Sequence, residues 1–141
     1  MAQRVRLAVD YYEFVRNYGA VRLPDPKKLL QIIGKTCRRI GAKTHSASRL
    51  LPSEEWIADN FYTLQETADA LPKGGGANRN GAYRAALFIV LNTEGETDRA
   101  SIVREADAYQ EYHALTLPEL AEIPDMLCLA LLERLAFLCD Q

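Results

Sequence analysis

The sequence has few residues of the kinds that carry chemistry, and none at a spacing that chemistry requires. Its three cysteines, Cys37, Cys128 and Cys139, include no CxxC pair. An odd number of thiols in otherwise apolar helical stretches points to reduced cysteines and a cytoplasmic setting. There are two histidines, His45 in a polar connection and His113 at a helix end, and neither has a carboxylate or cysteine at ligand spacing. No stretch reaches about 18 apolar residues, and Asp10 and Glu13 interrupt the N-terminal segment. That segment therefore reads as neither a signal peptide nor a membrane span. Alternating β-branched runs between turn signals are missing, so no strand is expected. No internal repeat of fixed period appears. The glycines at 74–76 follow no strand and precede no GK[ST], which excludes a phosphate loop. Asn92, Glu94, Glu96 and Asp98 supply oxygens, but not in the order of a calcium-binding loop. Glu55 and Asp59 share one helix face, yet two acids on one turn are ordinarily a solvated surface rather than a glycosidase pair. No catalytic residue, cofactor or metal is expected.

What is present is a helical pattern from end to end. At 141 residues and 48% hydrophobic, the chain is about one domain long. A domain of that size buries roughly 68% of its unfolded surface, enough for a core without metals or disulfides. The expected fold is all-α: a single compact bundle of six or seven helices. Residues 3–18 carry two adjacent apolar stripes, one of them Val5, Ala8, Val9, Tyr12 and Val15, and the other Leu7, Tyr11, Phe14 and Tyr18. A stripe that wide needs cover on more than one side, which suggests a homodimer. Asp25-Pro26 opens a second helix and Gly41 is expected to end it. A third runs from Pro52 to Leu71-Pro72. Residues 73–81, KGGGANRNG, read as a loop or hinge. Further helices are expected over about 82–92 and 98–113. A short one is opened by the capping-box pattern Thr116 to Glu119, and the last starts at Pro124. Being apolar almost all round, the last helix is expected to be central and buried.

Charge divides the chain. Residues 1–50 hold 11 Lys/Arg against 3 Asp/Glu, and residues 51–141 hold 6 against 16. A basic half can address nucleic acid, an anionic membrane surface or an acidic partner. It can also pack against the acidic half of its own chain, which is the favoured reading. Lys35, Arg38, Arg39 and Lys43 share one broad helix face and are the candidate anion-binding residues. No aromatic interleaving supports base stacking there. A small nucleic-acid- or anionic-surface-binding protein is thus the alternative reading of function.

The third helix holds a puzzle. Trp56, Ile57, Phe61, Leu64, Ala68 and Leu71 form its stripe, and Asn60 falls within it. A buried amide is costly unless bonded, so Asn60 is expected to tether another helix. A sugar contact built from Trp56, Asp59 and Asn60 is the sharper alternative.

Two blocks carry a family resemblance. Pro52, Glu55, Trp56, Asp59, Asn60, Phe61, Tyr62, Leu64 and Glu66 match a helix of the large bacterial cyclic β-1,2-glucan synthases. Leu71, Pro72, Tyr83 and Arg84 follow in the same order. A second block resembles the same family through Ala108, Tyr109, Gln110, Leu115, Thr116, Leu117, Glu119, Leu120, Pro124, Met126, Leu127, Leu131, Leu132, Glu133 and Leu135. The likeness spans residues 49–138, about two-thirds of the chain, and leaves residues 1–48 as a basic helical pair. Ala121, Cys128 and Arg134 depart from the pattern. The family continues into membrane spans, a glycosyltransferase domain and a phosphorylase-like domain, and this helical segment lies outside those chemical centres. The resemblance therefore implies an accessory module for protein–protein interaction in a glucan-making machine, either stand-alone or part of a larger assembly. Trp56, Asp59, Asn60, Tyr83 and Arg84 become its candidate contacts.

Overall fold

A computed structural model describes residues 10–19, 22–45, 50–72, 76–95 and 98–140. Among the described residues the fold is all-α, with six helices and no strand. They are α1 (Tyr11–Tyr18), α2 (Pro26–His45), α3 (Pro52–Ala70), α4 (Ala77–Thr93), α5 (Arg99–Tyr112) and α6 (Leu117–Cys139). The chain divides into two compact units. Unit 1 comprises residues 1–23 and 74–130, and unit 2 comprises residues 24–73 and 131–141. Helix α6 passes from one to the other after Ala130.

In unit 1 the most completely buried helix is α4, not the last helix. Its residues from Gly81 to Thr93 are buried except Arg84 and Leu91. Alanines and a glycine let neighbouring helices approach closely, while Phe88, Ile89 and Val90 supply bulk. Helix α6 instead buries one face, including Ile123, Met126, Leu127 and Ala130, and exposes Leu117, Phe137 and Leu138. Helix α1 is pinned by one side chain: Phe14 is buried, and its ring meets Phe88 edge-on at 5.5 Å. Asp10 caps it, accepting from Tyr12 N at 2.8 Å. The expected helical residues 3–9 lie outside the described residues.

Three boundaries differ from expectation. Helix α2 does not stop at Gly41 but runs on to His45. Gly41 is exposed, and a Cβ there would meet nothing within 4 Å. Propensity alone misjudged it, because a glycine inside a packed helix is tolerated at about 1 kcal/mol. Helix α4 begins at Ala77, so residues 77–81 of the expected loop are helical; Lys73–Gly75 are outside the described residues. Gly81 is buried because a Cβ would collide with the Glu119 carboxylate. Finally, the short helix and the last helix are one. Thr116 and Glu119 form the expected reciprocal box, with Thr116 N donating to Glu119 Oε1 at 3.0 Å and Glu119 N to Thr116 Oγ1 at 3.2 Å. Pro124 sits inside the helix that follows. It deprives the Leu120 carbonyl of its helical donor, but Leu120, Ala121 and Pro124 are all exposed, so the loss falls on the solvent side of the helix, where it costs little. On the other face Ile123, Met126 and Leu127 are buried and carry the helix through.

In unit 2, α2 and α3 pack along each other. Gly34 is buried under the Phe61 ring, whose Cζ would lie 3.5 Å from a Cβ at that position. Helix α2 holds six cations and no acid, and α3 holds five acids and no cation. Of these charges one pair meets across the two helices, Lys43 with Glu54. Gly41→Ala should raise stability by about 0.5–1 kcal/mol, because it adds helix propensity in open space. A shift of the urea midpoint measures this, and an unchanged or lowered midpoint would contradict a helical Gly41.

Candidate functional site

Three helix segments of unit 2 enclose a groove of about 600 Å³. The second half of α2 contributes Thr36, Arg39, Ile40 and Lys43; α3 and its N-cap contribute Leu51, Ser53, Glu54, Trp56 and Ile57; the end of α6 contributes Leu135, Leu138 and Cys139. Ile40, Ile57 and Cys139 are buried at its base. Leu51, Trp56 and Leu138 are 60%, 51% and 56% exposed, an unusual concentration of large apolar groups in water.

The polar rim is held by caps. Thr36 Oγ1 donates to the Cys139 carbonyl at 3.3 Å, and Arg39 Nη2 donates to the same carbonyl at 3.2 Å and to Thr36 Oγ1 at 2.9 Å. A guanidinium at a helix C-terminus satisfies an orphan carbonyl and opposes the helix dipole. At the start of α3, Leu51 has no side-chain acceptor, so only the acidic half of a capping box exists there. Glu54 Oε1 accepts from Leu51 N at 2.9 Å, and Glu54 Oε2 accepts from Lys43 Nζ at 2.7 Å. The Lys43 ammonium, and then the Leu51 N–H, hold the Glu54 carboxyl below its ordinary value.

The candidate anion-binding residues are therefore not equivalent. Arg39 and Lys43 are engaged in these caps. Lys35 and Arg38 are exposed, and with Ile32, Arg39, Ala42, Cys139 and Asp140 they border a second depression of about 570 Å³. The other candidates also separate. Trp56, Asp59 and Asn60 belong to unit 2, whereas Tyr83 and Arg84 belong to unit 1. Arg84 is exposed on α4, but Tyr83 is 1% exposed and offers no free ring face.

Asn60 does not tether another helix. Its Nδ2 donates to the Trp56 carbonyl, one turn back in α3, at 2.8 Å. The buried stripe of α3 runs through Ile57, Ala68 and Leu71, with Phe61 and Leu64 half-buried. It is the expected stripe without Trp56, which lies outside, and Asn60 sits on its edge. The amide is then cheap, since an i−4 bond and partial solvent satisfy it. Leu51 and Leu138 escaped the sequence reading. The signal was the apolar run Leu135 to Cys139, which covers every side of α6 and so has to expose some of them.

Elsewhere the acids are spent on structure. Asp98 caps α5 through Ser101 N at 2.8 Å, and that bond leads in lowering its pKa. Glu94 ends α4 with a left-handed backbone, φ 54°. Burial pushes the Tyr109 phenol up to about 12 and also raises the Cys128 thiol. All three cysteines are free thiols. Among the described residues no group of three or more His, Cys, Asp or Glu is placed to hold a metal, and no helix is long and apolar enough to cross a membrane. A scan of family models, a search of curated proteins and a search of solved structures each gave no match.

Glu54 has a depressed folded pKa, so its contribution is complete above the unfolded carboxylate pKa. It is lost as pH falls through the folded value. Lys43→Met should move the Glu54 titration, followed by carboxyl NMR, up toward the ordinary glutamate value. A titration that stays where it was would rule out Lys43 as the principal cause.

Proposed function

We propose that the chain is a non-catalytic helical interaction module that serves the protein machinery of glucan synthesis or processing, in the cytoplasm. The observation that supports docking is the convergence of Leu51, Trp56 and Leu138 on one groove with a buried apolar base. An exposed tryptophan beside a pocket of this size is the usual anchor of a protein contact. The occupant this favours is an amphipathic helix of a partner, with its apolar side chains on the groove floor. The link to glucan rests on the resemblance of residues 49–138 to cyclic β-1,2-glucan synthases.

One observation favours a second reading of the same face. Trp56 and Asp59 are exposed within one turn of each other, and the Asn60 bond uses Nδ2 and leaves Oδ1 to accept. An aromatic ring with a carboxylate and an amide is suitable equipment for a sugar ring. The anionic-surface alternative has weaker support, because only Lys35 and Arg38 remain uncommitted to caps.

Mixing the purified chain with the glycosyltransferase portion of a cyclic β-1,2-glucan synthase tests the proposal by calorimetry. Binding at micromolar concentration is expected, and Trp56→Ala should weaken it about tenfold or more, as truncating a central aromatic anchor does. Absence of binding to the enzyme would remove the glucan assignment. Binding to cyclic β-1,2-glucan alone, reported by Trp56 fluorescence, would establish the sugar reading in its place. Binding to nucleic acid that collapses as salt rises would favour the basic helix.

A further inference from the structure

We propose that the outer face of α1 is a self-association surface, on which two copies of the chain pair their α1 helices antiparallel about a two-fold axis. The surface belongs to unit 1 and uses none of the groove residues.

Helix α1 has an inner and an outer face. At about 100° per residue, Phe14, Tyr18 and Tyr11 point one way, and Tyr12, Arg16 and Glu13 point the other. The inner three are engaged. Phe14 is buried, Tyr18 stacks on Phe14 at 5.4 Å, and Tyr11 lies flat on Tyr112 with centroids 4.9 Å apart and planes 7° from parallel. The outer three are exposed. Tyr12 is 69% exposed, although its ring rests edge-to-face against both Tyr11 and Tyr112 at 5.8 Å. Tyr112, on α5, is itself 53% exposed. The three tyrosines thus form a fixed aromatic ledge whose outer rings face water. Because the rings pack on each other, they lose little further freedom when covered.

Charge selects what covers the ledge. Glu13 and Arg16 lie three residues apart on the same outer face, and among the described residues neither side chain has an ionic partner. A two-fold axis between them places Glu13 opposite Arg16 of a second copy, and Arg16 opposite its Glu13. An antiparallel pair satisfies both charges twice, which is what an isologous contact demands. A parallel pairing would set like charges against each other. The same helix therefore carries its own complement, and a second copy is the occupant that matches it. The contact is small, so a weak, concentration-dependent dimer is expected.

Sedimentation equilibrium of the full chain, from about 10 to 500 µM at low salt where the Debye length is about 30 Å, tests the pairing. A monomer–dimer equilibrium is expected. Glu13→Arg alone, or Arg16→Glu alone, sets two like-charge pairs across the axis and should weaken the dimer about tenfold. The double exchange, Glu13→Arg with Arg16→Glu, should restore it. Both positions are exposed, and unchanged circular dichroism verifies that the variants are folded. A monomer at every concentration overturns the proposal. So does a dimer indifferent to the single changes, or single losses that the double exchange fails to repair.

Discussion

The end of a helix is the constraint on which the rest of this structure depends. Each helix leaves four backbone N–H groups and four carbonyls without intrahelical partners, and the six helices among the described residues multiply that need. The chain meets it largely with its acids. Asp10, Asp25, Asp98 and Glu119 each accept from first-turn or N-cap amides, and Glu54 serves α3 although the N-cap is a leucine. At the far end of α6, Arg39 and Thr36 converge on the Cys139 carbonyl. No buried side-chain polar atom among the described residues lacks a partner.

That allocation bears on function. Among the capping carboxylates, Glu54 and Asp98 are held below their ordinary pKa by the donors they accept from. The cations of α2 are all exposed; Lys43 pairs with Glu54 of α3, and Arg39 donates to the Cys139 carbonyl. What stays available to another molecule is mainly apolar and aromatic: Trp56 with Leu51 and Leu138 in unit 2, and Tyr12 with Tyr112 in unit 1.

Much of this was legible from the sequence. The Asp25-Pro26 start, the Pro52 start and the Thr116–Glu119 box are local signals, and local bonds realise each of them. The errors arise where packing outweighs local preference. Gly41 lies within α2 because helix propensity is a small term beside α2–α3 packing. Gly81 lies within α4 because the absence of a Cβ makes room for Glu119. Pro124 lies within α6 because burial on one face spans it and the lost bond falls on the solvent side. In the stripe of α3 only Trp56 departs from expectation: it is apolar enough to be counted inward, yet it is exposed beside the buried Ile57. The dual membership of α6 has no sequence signal, because it depends on which other segments surround each half.

The distribution of aromatic residues has a practical side. The single tryptophan, Trp56, belongs to unit 2, while six of the seven tyrosines belong to unit 1, Tyr62 being the exception. Indole emission above the tyrosine excitation range therefore reports on unit 2 alone. The near-ultraviolet dichroism of stacked Tyr11 and Tyr112 reports chiefly on unit 1. Each unit carries its own chromophore, so whether the two melt as one cooperative body or as separate ones is readable from two wavelengths on an unlabelled sample.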